Sequence, residues 1–367
     1  MNPQFPEFGY YTLPGHVFDP KQVIEEVRSG EELGLGSVWI SERHNTKNVE
    51  VLSGVAAAST SRMGIASGLM TNMPLRNPLV TASYASTMAK LTDNRFALGV
   101  GRGVDALADI TGTPRLNFRL MEDYIGILRR LWRGEVVNYS GPAGNLRGIT
   151  LGMELNPMPP VIMATMGDKT SYWAGRFCDG VVYNSLWSKR AVERSTKMVR
   201  QGAKDAGRDP NSVKVWTVLI TACDVDEETM LRDIVRRMNT YLMYPWMMDV
   251  ICEFNGWDKQ TAVELRQALD RIDGERKAGT LGDENTSRNI DDIRRMFALY
   301  PKAWIHEGNA VGDAEHCVRC VLDRFDAGAD GVLFHGAHPK NLASLLKLWP
   351  KYRPAGKFDR RAVNPGL

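Results

Sequence analysis

The chain is short of cysteine, histidine and net charge. Five cysteines (Cys178, Cys223, Cys252, Cys317 and Cys320) and six histidines are scattered through 367 residues. An odd thiol number in a chain this long predicts a reduced, cytoplasmic protein with inert thiols. Cys317-Val-Arg-Cys320 has no second C-x-x-C to complete a zinc site, and no two histidines stand at metal spacing, so no metal is expected. Lys and Arg exceed Asp and Glu by only 3. No strong field exists to capture nucleic acid or an anionic membrane, and an anionic ligand must be held locally. Long apolar runs are missing too: Val215 to Cys223 stops far short of the roughly 20 residues that cross a bilayer. The opening MNPQFPEFGYY has neither a basic nor an apolar targeting segment. The absence of a G-x-S-x-G elbow and of a P-loop removes support for acyl transfer and nucleotide hydrolysis.

What is present is a repeating plan. Short β-branched apolar runs alternate with amphipathic stretches, the mark of parallel strands joined by crossover helices, and the class is α/β. Strands are expected at Phe8 to Thr12, Val38 to Ser41, Gly64 to Thr71, Arg95 to Gly101, Val161 to Thr165, Gly180 to Asn184, Val213 to Ala222 and Gly331 to His335, about the eight that close a barrel. Asp19 is placed to cap a helix from Pro20, Pro78 opens another that runs to Leu91, and a third spans about Phe118 to Trp132. No linker divides the chain, so 1–367 reads as one domain. Two long excursions interrupt the alternation. One, 102–160, carries a hairpin at GPAGNLRGI. The other, Asp224 to Asp330, has helical patterns around Glu227 to Met243, Thr261 to Arg276 and Ile290 to Leu299.

In a parallel barrel the strand C-termini form one rim, so the residues just past each apolar run converge. They include His16, Glu42-Arg43-His44, Thr71-Asn72, Arg102-Gly103 and Asp105, Thr165-Met166-Gly167, Asn184-Ser185, His335 and His338. The loop Gly99-Val-Gly-Arg-Gly103 lets the backbone approach a flat cofactor or a phosphate, with Arg102 as anion partner, although a tight turn looks the same. Met163 to Thr170 runs into a helix whose N-terminus attracts phosphate, unless Asp168 or Thr170 caps it. His44 is a plausible acid or base; His316, inside DAEHCVRCVL, reads as structural. Trp187, Trp246, Trp257 and Tyr244 are candidates for an apolar substrate space or for plain core.

With these segments placed, the chain resembles the bacterial luciferase-like superfamily, and more closely its F420-dependent oxidoreductases. The similarity lies in EELGLGSVWISERH (Glu31 to His44), in Asn72 to Gly103, in the helix from Asp123 to Glu135 and in Ala174 to Gly180. The stretch 241–308 is left as a variable helical insertion before the last strand. The resemblance implies a TIM (β/α)8 barrel binding coenzyme F420, or alternatively FMN, at the rim, with a small-molecule substrate and the family's habit of forming homodimers. It implies a non-prolyl cis peptide at Gly68-Leu69. It also places Glu42 and Thr71 at the ring or ribityl chain, and Arg102, Gly103, Met166, Gly167, Lys169 and Thr170 at the phosphate. His44, Glu42 and Asp105 are the catalytic candidates. Two departures stand out: Arg43 separates the acidic residue from the histidine, and Val104 or Asp105 stands where the family's general-base glutamate is expected. An FMN-dependent monooxygenase and a non-catalytic carrier subunit are the rival readings.

Overall fold

The computed structural model describes residues 3–13, 19–43, 47–71, 73–103, 105–242, 244–273 and 290–367. Eight strands form its centre: β1 (Phe5–Tyr11), β2 (Leu35–Ile40), β3 (Gly64–Ser67), β4 (Phe96–Gly101), β5 (Val161–Thr165), β6 (Gly180–Tyr183), β7 (Lys214–Cys223) and β8 (Gly331–His335). Each pairs in parallel with the next, and β8 pairs back onto β1, so the sheet closes into a barrel. The strands are nearly continuous apolar runs because both of their faces are covered.

Alternate residues divide between two apolar groups. Tyr11, Trp39, Ala66, Ala97, Ile162, Val182, Trp216, Val218 and Leu333 fill the interior, while the intervening residues pack under the helices. Glycine makes room for the large interior rings: a Cβ on Gly9 would lie 2.9 Å from Trp39 Nε1, and one on Gly331 would lie 2.5 Å from the Trp216 ring. Trp39 and Trp216 pack with ring centroids 5.3 Å apart.

The floor, at the strand N-termini, is closed by a late segment. Asn364 Nδ2 donates to the carbonyls of Asn94 and Phe96 at 2.8 Å each, Trp216 Nε1 donates to Pro365 O at 2.7 Å, and the Arg361 guanidinium lies 4.6 Å from the Trp216 ring.

The helix expected from Pro20 begins at Gln22, with Asp19 accepting from the Lys21 amide at 3.0 Å. Helix Pro78–Leu91 has Asn77 as its cap, and Phe118–Trp132 has Asn117. The hairpin pairs Val137–Gly141 with Gly144–Ile149. Between β7 and β8 the chain forms helices Glu227–Leu242, Pro245–Asn255, Lys259–Asp273, Ile290–Leu299 and Lys302–Gly308. A strand, Asn309–Gly312, then extends the β7 edge and leads into helix Ala314–Asp326. Met243 and 274–276, included in the helical patterns read from sequence, lie outside the described residues. Trp187 and Trp257 belong to the packing of this region: Trp187 stacks on Phe254 at 5.4 Å and Trp257 on Trp304 at 4.6 Å. Trp246 and Tyr244 are exposed.

Candidate active site at the barrel mouth

The expected third strand is broken. β3 stops at Ser67, the Gly68–Leu69 peptide is cis, and pairing resumes only at Met70–Thr71, with Thr71 opposite Gly101. The Ser67 side chain fills the gap, donating to Gly99 O at 2.9 Å and accepting from Gly99 N at 2.7 Å. Gly68 N donates to Ile40 O at 2.7 Å, and Glu42 N to Leu69 O at 3.3 Å, which ties this bend to the end of β2. Gly68 is packed tight: a Cβ there would lie 2.8 Å from Trp39 Cβ and 2.9 Å from Tyr11 Cε1. Gly99 is tighter, its Cβ position 1.9 Å from Ser67 O. Gly101 differs, meeting only Leu69, at 3.6 Å and beyond, with Met70 O at 3.9 Å.

Glu42 is buried at 2% exposure. Its carboxylate accepts from both terminal nitrogens of Arg76, one at 3.4 Å and the other closer, and Arg76 Nε reaches on to Glu50 at 2.8 Å. Past β4, Arg102 and Asp105 pair with each other at 3.1 Å with both side chains about half exposed (56% and 46%). Gly103 has φ of 71°.

Past β5, Gly167 (φ 99°) precedes helix Asp168–Phe177, whose N-terminus has no side-chain cap. Asp168 does not cap it because its carboxylate is drawn to Arg194, at 2.7 Å, which also binds Glu253. Thr170 Oγ1 instead points back to Met166 O at 3.5 Å, and Lys169 is exposed. The first-turn N–H groups and the positive end of the helix dipole therefore remain available to an anion.

On the other side of the mouth three buried polar atoms lack a hydrogen-bond partner: Asn184 Nδ2 and Ser185 Oγ after β6, and His335 Nδ1 at the end of β8. His335 shares the inward parity of Leu333 and packs against Tyr11 with ring centres 4.7 Å apart. Burial, and then the cations Arg237, Lys47 and Arg43, hold its pKa well below the ordinary histidine value, so the ring is neutral at neutral pH.

Glu42, Gly68, Leu69, Thr71, Arg102, Gly103, Asp105, Met166, Gly167, Lys169 and Thr170 thus all follow the C-terminal ends of β2 to β5 and share one arc of the mouth. His44, His16 and Asn72 lie outside the described residues. One residue named from the rim went elsewhere: His338 caps the turn Pro339–Leu342 and meets Glu25 at 3.1 Å; His316, read as structural, sits in helix Ala314–Asp326 beside Cys320 Sγ at 3.6 Å. Sequence reasoning missed Arg76 altogether, and it named His335, Asn184 and Ser185 without giving them a role. Among the described residues no group of three His, Cys, Asp or Glu side chains could hold a metal ion, and no helix is long and apolar enough to cross a membrane.

A closed eight-stranded parallel barrel ringed by helices is the architecture of the TIM-barrel enzymes, whose sites lie past the strand C-termini. The chain belongs to the luciferase-like monooxygenase family, whose model matches residues 4–331. Among its relatives, the 5,10-methylenetetrahydromethanopterin reductase of Methanolobus tindarius is 26% identical over 72% of this chain and 80% of its own length. The F420-dependent glucose-6-phosphate dehydrogenase of Amycolatopsis mediterranei is 25% identical over 89% of this chain and 91% of its own length. The solved structure of the coenzyme F420 dependent tetrahydromethanopterin reductase from Methanopyrus kandleri has the same fold, with a TM-score of 0.76 at 19% identity, covering 95% of this chain and 99% of that one.

Proposed function

We propose that this protein is an F420-dependent oxidoreductase that passes a hydride between the deazaflavin and a small organic substrate. The relatives' names supply the cofactor, and the observation that carries the reading is a bare strip of mouth. Gly68 and Gly99 let the cis bend pack closely on β2 and β4, Gly101 at the end of β4 leaves open the place where a side chain would stand, and Gly167, with nothing within 4 Å of a Cβ, continues the strip to an uncapped helix N-terminus. A flat ring with a phosphate tail fits such a strip, because the backbone is approached closely and its N–H groups receive the anion.

In this reading Gly68 and Leu69 back the ring, with Glu42 and Thr71 at its edge. Arg102, Gly103, Met166, Gly167, Lys169 and Thr170 hold the phosphate and the chain leading to it. When bound, a 5-deazaflavin supplies a two-electron hydride donor or acceptor at a carbon that reacts poorly with dioxygen. The protein's part is orientation, exclusion of water and movement of one proton, and His44 or Asp105 performs the last. The Arg76 clamp fixes Glu42, whose backbone N–H in turn donates a hydrogen bond to Leu69 O and fixes the bend behind the ring.

The test is Gly101→Ala. Its Cβ meets only Leu69 and Met70 O at ordinary contact distance, so the fold should tolerate it while the added methyl intrudes on the strip. Quenching of F420 fluorescence on titration with the native protein, and at least about tenfold weaker binding by the variant at an unchanged melting temperature, is the expected result. Tight FMN binding with none of F420 would replace this reading with an FMN-dependent monooxygenase. F420 binding with no hydride transfer to any of a panel of enones, ketones and imines would leave a carrier.

A further inference from the structure

His335 stands at the mouth with no part in the cofactor site described above. Leu333 faces the barrel interior, so His335, two residues on and last in β8, faces it too. Its ring packs on Tyr11, the last residue of β1, with centres 4.7 Å apart and planes at 54°. Tyr11 in turn abuts the cis bend: its Cε1 is 2.9 Å from where a Cβ on Gly68 would stand. The imidazole is therefore one phenol ring away from the bend, and a ligand atom that it holds lies next to whatever the bend backs.

Elsewhere in the same interior the buried ring nitrogens are paired. Trp39 Nε1 donates to Ser37 Oγ at 3.0 Å, and Trp216 Nε1 to Pro365 O at 2.7 Å. His335 Nδ1 is as deeply buried and has no partner. Buried polar atoms are paired in the great majority of cases, and an unpaired one at the open end of a barrel is placed for a ligand atom to complete the bond. Burial keeps the ring uncharged. It therefore carries one N–H and one lone pair, able to donate to a carbonyl oxygen or to accept from the hydroxyl that hydride addition makes of it.

We propose that His335 is a catalytic residue of the hydride transfer: through Nδ1 it hydrogen-bonds the oxygen of a carbonyl substrate lying against Tyr11, and so sets the carbonyl carbon toward the ring backed by Gly68 and Leu69. The proposal deepens the preceding reading and rests on it for the cofactor. In the reducing direction the hydride adds to the carbonyl carbon, the π pair of the C=O bond moves onto oxygen, and the His335 N–H stabilises the charge gathering there. The proton that completes the alcohol comes from the rim acid of that reading, and the cofactor is left oxidised by two electrons.

Para-dimethylaminobenzylideneacetone is an uncharged enone whose absorption band moves to longer wavelength when its carbonyl oxygen accepts a hydrogen bond. Mixed with the native protein without F420, it should show that shift. His335→Phe keeps a ring against Tyr11 and removes the nitrogen, so the shift should be lost while F420 affinity, read by fluorescence quenching, is unchanged. His335→Asn, whose carboxamide reaches the place of Nδ1, should restore part of the shift. If His335→Phe does not fold by circular dichroism, His335→Leu takes its place with the same expected loss. A native protein that leaves the band where it is in buffer overturns the proposal. So does a shift that survives in His335→Phe, or a His335→Asn variant no better than it. Loss of F420 affinity in His335→Phe assigns the nitrogen to the cofactor and also overturns it. Failure of the F420 reading appears separately, as a native protein that shifts the enone band but does not quench F420.

Discussion

Replacing Arg76 by methionine removes the two-nitrogen guanidinium partner of a buried carboxylate. The Glu42 side chain is 1% exposed and the Arg76 side chain 12%, so the pair is screened far less than a surface ion pair. Breaking a buried pair by removing one member costs about 3–5 kcal/mol. Because Arg76 keeps some contact with water and shares itself with Glu50, whose side chain is 31% exposed, the lower end applies, about 3 kcal/mol. With an unfolding entropy of roughly 2.1 cal/mol/K per residue over 367 residues, that loss lowers the melting temperature by about 4 °C. Adding Glu42→Gln removes the buried charge that Arg76 faces. The double variant should therefore recover part of the loss, with a coupling of about 2 kcal/mol in a urea-denaturation cycle. Since Glu42 N also holds Leu69 O at 3.3 Å, F420 binding should weaken in the single variant and partly return in the double. A single variant within about 0.5 kcal/mol of the native protein, or a cycle that closes additively, refutes the argument.

Asp233 gives a dependence on pH. Its pKa rises from 3.8 to about 7, chiefly through burial, so between those values the folded chain holds a proton that the unfolded chain has released. Stability therefore falls as pH rises through that window, by up to about 4 kcal/mol; Asp233→Asn should raise the urea midpoint at pH 8 and leave it nearly unchanged at pH 4, and equal effects at both would contradict this. All five cysteines are buried, with the Cys178 thiol pushed up to about 12 by burial. A disulfide reagent at pH 8 should label none of them rapidly in the native protein and all five in denaturant; one fast-reacting thiol would show the burial to be wrong. Gly99→Ala, whose Cβ would press on Ser67 O, should cost stability by about 2–3 kcal/mol or more, in contrast to Gly101→Ala two residues on, and equal melting temperatures for the two would count against the packing described.

The barrel was legible because its strands are apolar on both faces and bounded by breakers. Val161 to Thr165 begins after Pro160, and Gly331 to His335 begins with glycine; both run over the spans read from the sequence. The third strand was read whole because GIASGLMT is uniformly strand-like, and only the family resemblance pointed to a cis bond within it. Helix Pro245–Asn255 escaped notice because PWMMDVICEFN carries almost no polar stripe to reveal a helical period. The rim residues could be enumerated from strand ends alone, but their partners could not. Arg76 sits in the irregular stretch MPLRNP, where no periodicity constrains a side chain, and its claim on Glu42 exists only in three dimensions. Asp168 looked like a helix cap by position, and Arg194, one helix away, drew its carboxylate off.

The floor closure has a bearing on synthesis. Asn364 grips carbonyls of Asn94 and Phe96 that leave the ribosome some 270 residues ahead of it, and the indole of Trp216 waits for Pro365. Until that late segment is made, a nascent barrel is a tube whose aromatic interior is wetted from beneath. Its tryptophan emission should shift to the blue only when the final turns of chain slide under it.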